Sequence, residues 1–410
     1  MTMLHTRPAL TFVVAATAAA CATDASPGGP SRETLPNGAI LVRYPDLPDI
    51  DSVGPEVTEV QIDLKLGSVE GDDPNFIFGD LRGIQAASDG TMYVADNQAL
   101  EVRVFSSAGD YLRTIVRRGE GPGEILRTNG IILSGDTLLW VNETRQWAII
   151  GVDPEGNELR RFTKPVWVRG YIWDGVFDRR GRYWKETMHG DAEAVARRDQ
   201  ATGLFNDEYR SYYKSYDLAT SGVDSIFMSE GVYREYIVRL ERRTFYFPIR
   251  FLPFDMASVH PSGGFWHAST DSYRLIRTGE GGDTVVVIEA GLPLQSVTHA
   301  DRSAYVEEFA EHYPEVRRGI EAAAALAPQV KPILESFFVD DQARLWVKRV
   351  VPPDASPFYD LFSEDGDYLG SVRLGFTPAP NTVIWVQHGN IYTWVVDDLG
   401  VQYVVRAPLP

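Results

Sequence analysis

Apolar and polar residues alternate in short runs along most of this chain, and each run ends at a turn rich in glycine, aspartate or asparagine. Alternation at period two with such punctuation predicts β-strands. No long apolar stripe at helical spacing appears before residue 298, so the pattern is all-β. One unit recurs within it, a glycine or polar turn followed by an aromatic residue inside a short strand. It reads Asp89-Gly90-Thr91-Met92-Tyr93-Val94, Gly135-Asp136-Thr137-Leu138-Leu139-Trp140-Val141 and Gly181-Arg182-Tyr183-Trp184, then Gly263-Gly264-Phe265-Trp266, Ala343-Arg344-Leu345-Trp346-Val347 and Gly389-Asn390-Ile391-Tyr392. The aromatic residues fall at 93, 140, 184, 266, 346 and 392, in steps of 47, 44, 82, 80 and 46. Three steps suit one four-stranded propeller blade each, and two leave room for insertions.

A second marker, a polar turn with glycine between two strands, recurs at 105–111, 152–158, 217–223, 277–283 and 362–367. It occurs five times where the first occurs six, and the chain ends on the strand 401–406 without a further turn. The last blade therefore lacks its outer strand. The segment 58–66, with Val60, Ile62, Leu64 and Leu66 on one face, is expected to supply it and so tie the sixth blade to the first. The prediction is a six-bladed β-propeller over residues 56–410 with interlocked ends. The long segments 187–210, 228–254 and 290–332 all fall in connections that open on one face, around the channel mouth. Decoration of a single face is how a scaffold builds a site. In the last segment Thr298 and Asp301 make a capping box, and Tyr305, Phe309 and Tyr313 form a stripe, which predicts a helix near 298–326. It either braces the rim or closes over the channel as a lid.

Composition and charge narrow the partners. Acidic residues outnumber basic ones by 57 to 39, and the formal charge of -18 repels phosphate backbones and anionic lipid headgroups, which excludes nucleic acid. The sole cysteine, Cys21, excludes a disulfide or a cysteine-based metal site within the chain. It follows a start carrying His5 and Arg7 and a 12-residue apolar or small stretch, 9–20, ending in three alanines. This is the layout of an export signal over residues 1–20, and as a helix it is too short to span a bilayer. Residues 21–55, rich in proline and glycine, read as a flexible tether. The segment up to Cys21 resembles a bacterial lipoprotein signal, with Ala18 where leucine is usual. That resemblance implies a lipidated Cys21 and, with Ala22 next, an outer-membrane lipoprotein facing the periplasm or the cell surface, held to the membrane through its lipid alone. The alternative is ordinary cleavage after Ala20 with a free exported thiol.

Residues 81–126 carry a second resemblance. Arg82-Gly83-Ile84, then Asp89 to Asp96, then Val102-Arg103-Val104-Phe105 and Gly119-Glu120-Gly121-Pro122-Gly123-Glu124 look like the first blade of bacterial six-bladed, NHL-repeat-like β-propeller lipoproteins. The resemblance implies fold and compartment; members of that group mostly lack an assigned activity.

Catalytic motifs are sparse: the seven histidines show no metal-ligand spacing and there is no nucleophile elbow. Gly119 to Gly123 has the look of a phosphate cradle, but no helix follows, and it reads as a turn. The ends of the second strands bring Asp96, Asn97, Asn142, Glu143 and His267 near the channel mouth, where Asp96, Asn142 and His267 could hold Ca²⁺ as six-bladed lactonases do. Solvated rim polars are the other reading, because blades five and six offer Lys348, Arg349, Thr393 and Trp394 instead. Arg117, Arg118, Arg127, Arg145, Lys348 and Arg349 gather on that rim, where arginine forks suit a carboxylate, unless they pair with neighbours such as Glu120 and Glu124. Trp147, Trp167 and Trp173 are stacking platforms there or blade core. These residues point to a non-catalytic module without a required cofactor, binding a peptide, glycan or partner protein through Asp96, Asn97, Arg118, Arg127, Asn142, Arg145, Trp147, His267 and Arg349. The rival is a lactonase-like, metal-dependent hydrolase or lyase.

Overall fold

The computed structural model describes residues 29–69, 73–163, 171–189, 196–218, 220, 222–352 and 355–409. The export signal and Cys21 lie outside these residues, as does Trp167. The strands make six sheets, each antiparallel at its centre. Blade one comprises Leu81–Ala86, Met92–Asp96, Glu101–Phe105 and Tyr111–Arg118. Blade two comprises Thr128–Ser134, Leu138–Glu143, Ala148–Val152 and Glu158–Thr163. Blade three has Val176–Phe177, Tyr183–His189, Gly203–Asp217 and Gly222–Arg239, and adds a fifth strand, Thr244–Pro248. Blade four holds Asp255–Val259, Phe265–Ser269, Arg274–Thr278 and Thr284–Ala290. Blade five holds Leu334–Val339, Leu345–Arg349, Phe358–Phe362 and Tyr368–Leu374. Blade six supplies Trp385–Gln387, Asn390–Val396 and Gln402–Pro408.

The aromatic repeat has a packing cause. Each marker lies in the second strand of its blade and is buried against the blade that follows. Tyr93 shares a cluster with Ile131 of blade two, Trp140 with Tyr183 of blade three, and Trp184 with Phe265 of blade four. Trp266 then meets Leu345 of blade five, Trp346 meets Ile391 of blade six, and Tyr392 meets Ile84 of blade one. A large aromatic residue fills the wedge between two twisted sheets, and burying one such side chain contributes about 1.5–3 kcal/mol.

The N-terminal expectation needs two corrections. The segment 58–66 is not one strand. Val57–Val60 pairs in parallel with the outer strand of blade five, while Leu64–Leu66 pairs with Gln402–Pro408 as the missing outer strand of blade six. The chain changes blade at 61–63, where Asp63 bonds Arg406 at 2.7 Å. Both halves keep period two, so the alternation alone cannot reveal the break. Secondly, much of the tether is structured. Ile40–Tyr44 pairs in parallel with the outer strand of blade four, and Ser31–Thr34 pairs with it in turn. Val42 is fully buried, and the Tyr44 hydroxyl donates to the Gly366 carbonyl at 2.8 Å. An open sheet edge offers a row of unpaired N–H and C=O groups, and here the chain's own N-terminal region covers the edges of three blades.

The long segments extend the blades on one face. Residues 203–239 form the two overlong strands of blade three, and the segment after blade four folds into α1, His299–His312, and α2, Arg317–Ala325. The predicted capping box is formed: Thr298 Oγ1 accepts the Asp301 N–H at 3.1 Å, and Asp301 Oδ2 accepts the Thr298 N–H at 2.8 Å. The stripe is a brace. Tyr305 and Phe309 pack with Phe245 and Phe247 of the added strand, and the Tyr305 hydroxyl donates to the Pro248 carbonyl at 2.9 Å.

Candidate functional site

Carboxylates at the ends of the second strands serve the loops of the decorated face. Asp96 is 1% exposed; its Oδ1 accepts the N–H groups of Asp80 (3.1 Å), Gln98 (2.9 Å) and Ala99 (3.3 Å), and its Oδ2 that of Gly79 (3.1 Å). Glu143 repeats the device one blade on. Its Oε1 accepts from Arg145 (2.6 Å) and Gln146 (3.3 Å), its Oε2 from Leu126 (2.6 Å) and Arg127 (3.4 Å). Each acid thus fastens the connection entering its blade to the turn between its second and third strands. Backbone amides already occupy the lone pairs that a cation would need. The Asp96, Asn142 and His267 constellation is accordingly not assembled. Asn142 donates to Asn129 Oδ1 at 2.6 Å, and His267 lines a separate cavity between blades three and four. Among the described residues no three His, Cys, Asp or Glu side chains are grouped closely enough to hold a metal ion.

The two acids shape the walls of a cavity of about 430 Å³ between blades one and two. Arg82, Arg127, Asn129, Thr144, Trp147 and Tyr171 face it. The Arg82 guanidinium carbon sits over the Tyr171 ring, 3.8 Å from its centre, with Nη1 donating to the Tyr171 carbonyl and Nη2 to Asp80 Oδ2, both at 2.8 Å. Among the described residues the Nε of Arg82 and the hydroxyl of Thr144 are buried without a hydrogen-bond partner. Arg127 is exposed and meets no carboxylate among the described residues. Trp147 holds a left-handed backbone, φ 56°, and packs its ring against the cluster of Trp140 and Trp173. Cationic, aromatic and hydroxyl groups converge here.

The expected ligand residues fare unequally. Arg127 and Trp147 line the cavity, and Asn97 and Asn142 stand behind it. Asn97 accepts the Thr128 N–H at 3.0 Å and donates to Asp80 at 2.8 Å. Arg145 is exposed in the turn of Trp147 but does not line the space. Arg118 ends the outer strand of blade one, away from the channel. Arg349 is a correction: it is 4% exposed and grips Asp360 with Nε at 2.6 Å and Nη2 at 2.8 Å, while Nη1 donates to the Pro48 carbonyl at 2.8 Å. Asp360 also takes the hydroxyls of Tyr273 at 2.6 Å and Ser371 at 2.7 Å, so this knot joins blades four and five and the N-terminal segment. Trp173 is buried, its indole donating to the Tyr183 hydroxyl at 2.6 Å. Gly119–Gly123 is a turn, in which Glu124 accepts the Gly121 N–H at 2.8 Å. Lys348 pairs with Glu335 at 2.5 Å. Arg82, Thr144 and Tyr171 escaped the sequence reading; Arg82 sat in plain view within the first-blade motif.

In the second cavity, of about 240 Å³, His267 lies beside Glu186, Asp255, Met228 and Met256. Burial lowers its imidazole pKa, and the nearby Asp255 opposes this in part.

With the sheets and cavities described, comparison with known proteins agrees on the class: the model of the DUF5128 family, described as a 6-bladed beta-propeller, matches residues 73–151, the stretch of blades one and two. Curated proteins give no match. Among solved structures, a duf4221 family member from Bacteroides vulgatus is 10% identical with a TM-score of 0.47, over 85% of this chain and 97% of its own. A protein of Bacteroides fragilis named as exported is 9% identical with a TM-score of 0.44, over 87% and 99%. Virginiamycin B lyase from Staphylococcus aureus is 9% identical with a TM-score of 0.37, over 85% and 99%. Likenesses this distant carry nothing about activity.

Proposed function

We propose that this chain is an exported propeller, anchored to the outer membrane through a lipid on Cys21, that binds a peptide, glycan or partner protein on its decorated face without transforming it. One observation carries the reading. The long connections and both cavities belong to one face, while the acids best placed for chemistry there, Asp96 and Glu143, are committed to backbone amides. The turns of the other face are short and closed on themselves, as where the Ser106 N–H bonds the Asp110 carbonyl at 2.8 Å. A face with adjustable loops and fixed clamps suits recognition.

Peptide and glycan arrays probed with the wild type and with Arg127→Ala and Asp110→Ala test it. Arg127→Ala should weaken the bound spots and Asp110→Ala should not. Product released from a bound ligand, or a stoichiometric metal lost on Asp96→Ala, would overturn it in favour of the lactonase-like enzyme. Anchoring is tested separately: Cys21→Ser should be exported yet recovered in the soluble fraction, since acyl chains supply the bilayer affinity this acidic chain otherwise lacks. Undiminished membrane recovery would refute it.

A further inference from the structure

We infer that the cavity between blades three and four binds a primary ammonium group carried on an unbranched alkyl stem. The proposal adds a second subsite to the decorated face and rests on the reading of that face as a binding surface. Strand register turns the lining groups toward one another. Side chains two apart on a strand share a face, and Trp184, Tyr213, Ala257 and Phe265 meet in the cluster that joins the two blades. Glu186 therefore points the way of Trp184 and Ser211 that of Tyr213, while Asp255 follows Ala257 and His267 follows Phe265. The four meet around a space of about 240 Å³.

Their polar atoms remain available. Asp255 is exposed, and among the described residues neither its carboxylate nor the His267 ring makes a hydrogen bond or an ion pair. Glu186 gives Oε1 to the Ser211 hydroxyl and keeps Oε2 open. Arg274, the cation in the lining, is engaged by Glu289. Glu186 and Asp255 thus leave the cavity with two negative charges that no side chain among the described residues balances. Burial, then Asp255 and Glu186, push the Tyr209 hydroxyl pKa up, as an unbalanced negative field does. Burial lowers the His267 pKa against the pull of Asp255, so at neutral pH the ring is an uncharged acceptor and not the missing cation.

These groups select their ligand. Two carboxylates and an imidazole nitrogen offer three acceptors, and a primary ammonium has three N–H donors. A divalent ion is not served, since no three His, Cys, Asp or Glu side chains among the described residues are grouped closely enough to hold one. A quaternary ammonium needs an aromatic cage, and no Phe, Tyr or Trp faces the cavity. Met228 and Ile276 give the alkyl stem an apolar wall. The lysine side chain of a peptide and a free alkyl diamine present this same group.

Calorimetric titration of the whole chain with Nα-acetyl-lysine amide, cadaverine and Nα,Nε-diacetyl-lysine amide tests the inference, with the probes assayed by NMR afterwards. At least one amine should bind, and the diacetylated probe, which keeps the stem without the charge, should bind about ten- to a hundredfold more weakly. Asp255→Asn and Glu186→Gln should each cost a similar factor, the first with an unchanged melting curve because Asp255 is exposed. Asp110→Ala removes one negative charge from the opposite face and should leave binding intact. Preference for the lysine derivative marks a peptide source, and preference for cadaverine a free diamine. Failure of both amines to bind, equal binding of the diacetylated probe, or equal losses in Asp255→Asn and Asp110→Ala overturns the ammonium site. Binding that depends on Asp255 but ends in conversion of the probe keeps the site and overturns the non-catalytic reading instead, so the two failures are separable.

Discussion

Replacing His260 by aspartate should stabilise the protein, and more so in mild acid. In blade three the turn between the first two strands opens with Asp178, which accepts the N–H groups of Arg180 (2.9 Å) and Arg182 (3.0 Å), the Arg182 Nε (2.9 Å) and the Trp184 indole N–H (2.8 Å). Asp340 does the same in blade five for Gln342, Arg344 and the Trp346 indole at 2.7–3.0 Å. Blade four keeps the backbone turn, with the His260 N–H on the Gly264 carbonyl at 3.0 Å, but puts an imidazole where the carboxylate belongs. Its Nδ1 accepts the Ser262 N–H at 3.2 Å, and the Trp266 indole N–H is buried with no acceptor among the described residues. Aspartate would supply that acceptor, a gain of about 1–3 kcal/mol. A carboxylate there is attracted by Arg277, whose Nη2 lies 3.2 Å from the ring, and repelled by Glu364, 3.6 Å away. The arginine is 14% exposed and the glutamate 49%, so the attraction is less screened and prevails.

Acid sharpens the contrast. Burial, then Arg277 and Arg179, push the His260 pKa from 6.5 down to about 4. Between those values the unfolded chain takes up a proton that the native state refuses. Wild-type stability is therefore complete above pH 6.5 and is lost as pH falls toward 4, by up to about 3 kcal/mol. His260→Asp removes this loss. Thermal unfolding followed by circular dichroism should show the midpoint raised by about 1–4 °C at pH 7 and by more at pH 5. A lower midpoint at pH 7, or an identical shift at both values, would refute the argument.

Other perturbations test other parts. Arg349→Ala should cost about 3–5 kcal/mol in urea unfolding, because it leaves Asp360 buried without its cation; a change under about 1 kcal/mol would mean the knot is dispensable. Asp96→Ala strips acceptors from four backbone N–H groups and should lower stability by about 1–3 kcal/mol, read by the same assay, with no change in bound metal. Deleting residues 57–66 uncovers the outer strand of blade five, removes that of blade six, and should abolish cooperative melting or cause aggregation, visible in calorimetry and light scattering.

Much of the scaffold was legible because its causes are local. A turn glycine such as Gly90 or Gly181 is needed where the backbone turns left-handed, at φ 84° and 73°, and the aromatic residue after it fills a wedge that every blade must fill. Thr298 with Asp301 announced its helix for the same reason, since a cap and its partner lie within one turn. What stayed hidden depends on distant partners. Arg349 reads as a rim cation until Asp360 on the adjoining strand and Pro48 of the N-terminal segment are seen beside it. Asp96 looks like a ligand because residue type cannot show which way the amides of Gly79 and Gln98 point. Ile40 to Tyr44 does bury its apolar side chains on blade four, but a run of five residues beside Pro36-Asn37-Gly38 and Pro45 is too short to stand out from a tether, and its partner strand lies more than 240 residues away.

The central claim is that ligand meets this protein on the decorated face, at the mouth between blades one and two. Hydrogen exchange of the backbone amides, measured with and without a ligand selected on the arrays, tests it most directly. The account predicts added protection at 126–129, 144–147 and 171–173, with the turns 106–110, 153–157 and 363–367 unchanged. Protection confined to those turns would place the ligand on the opposite face and contradict it.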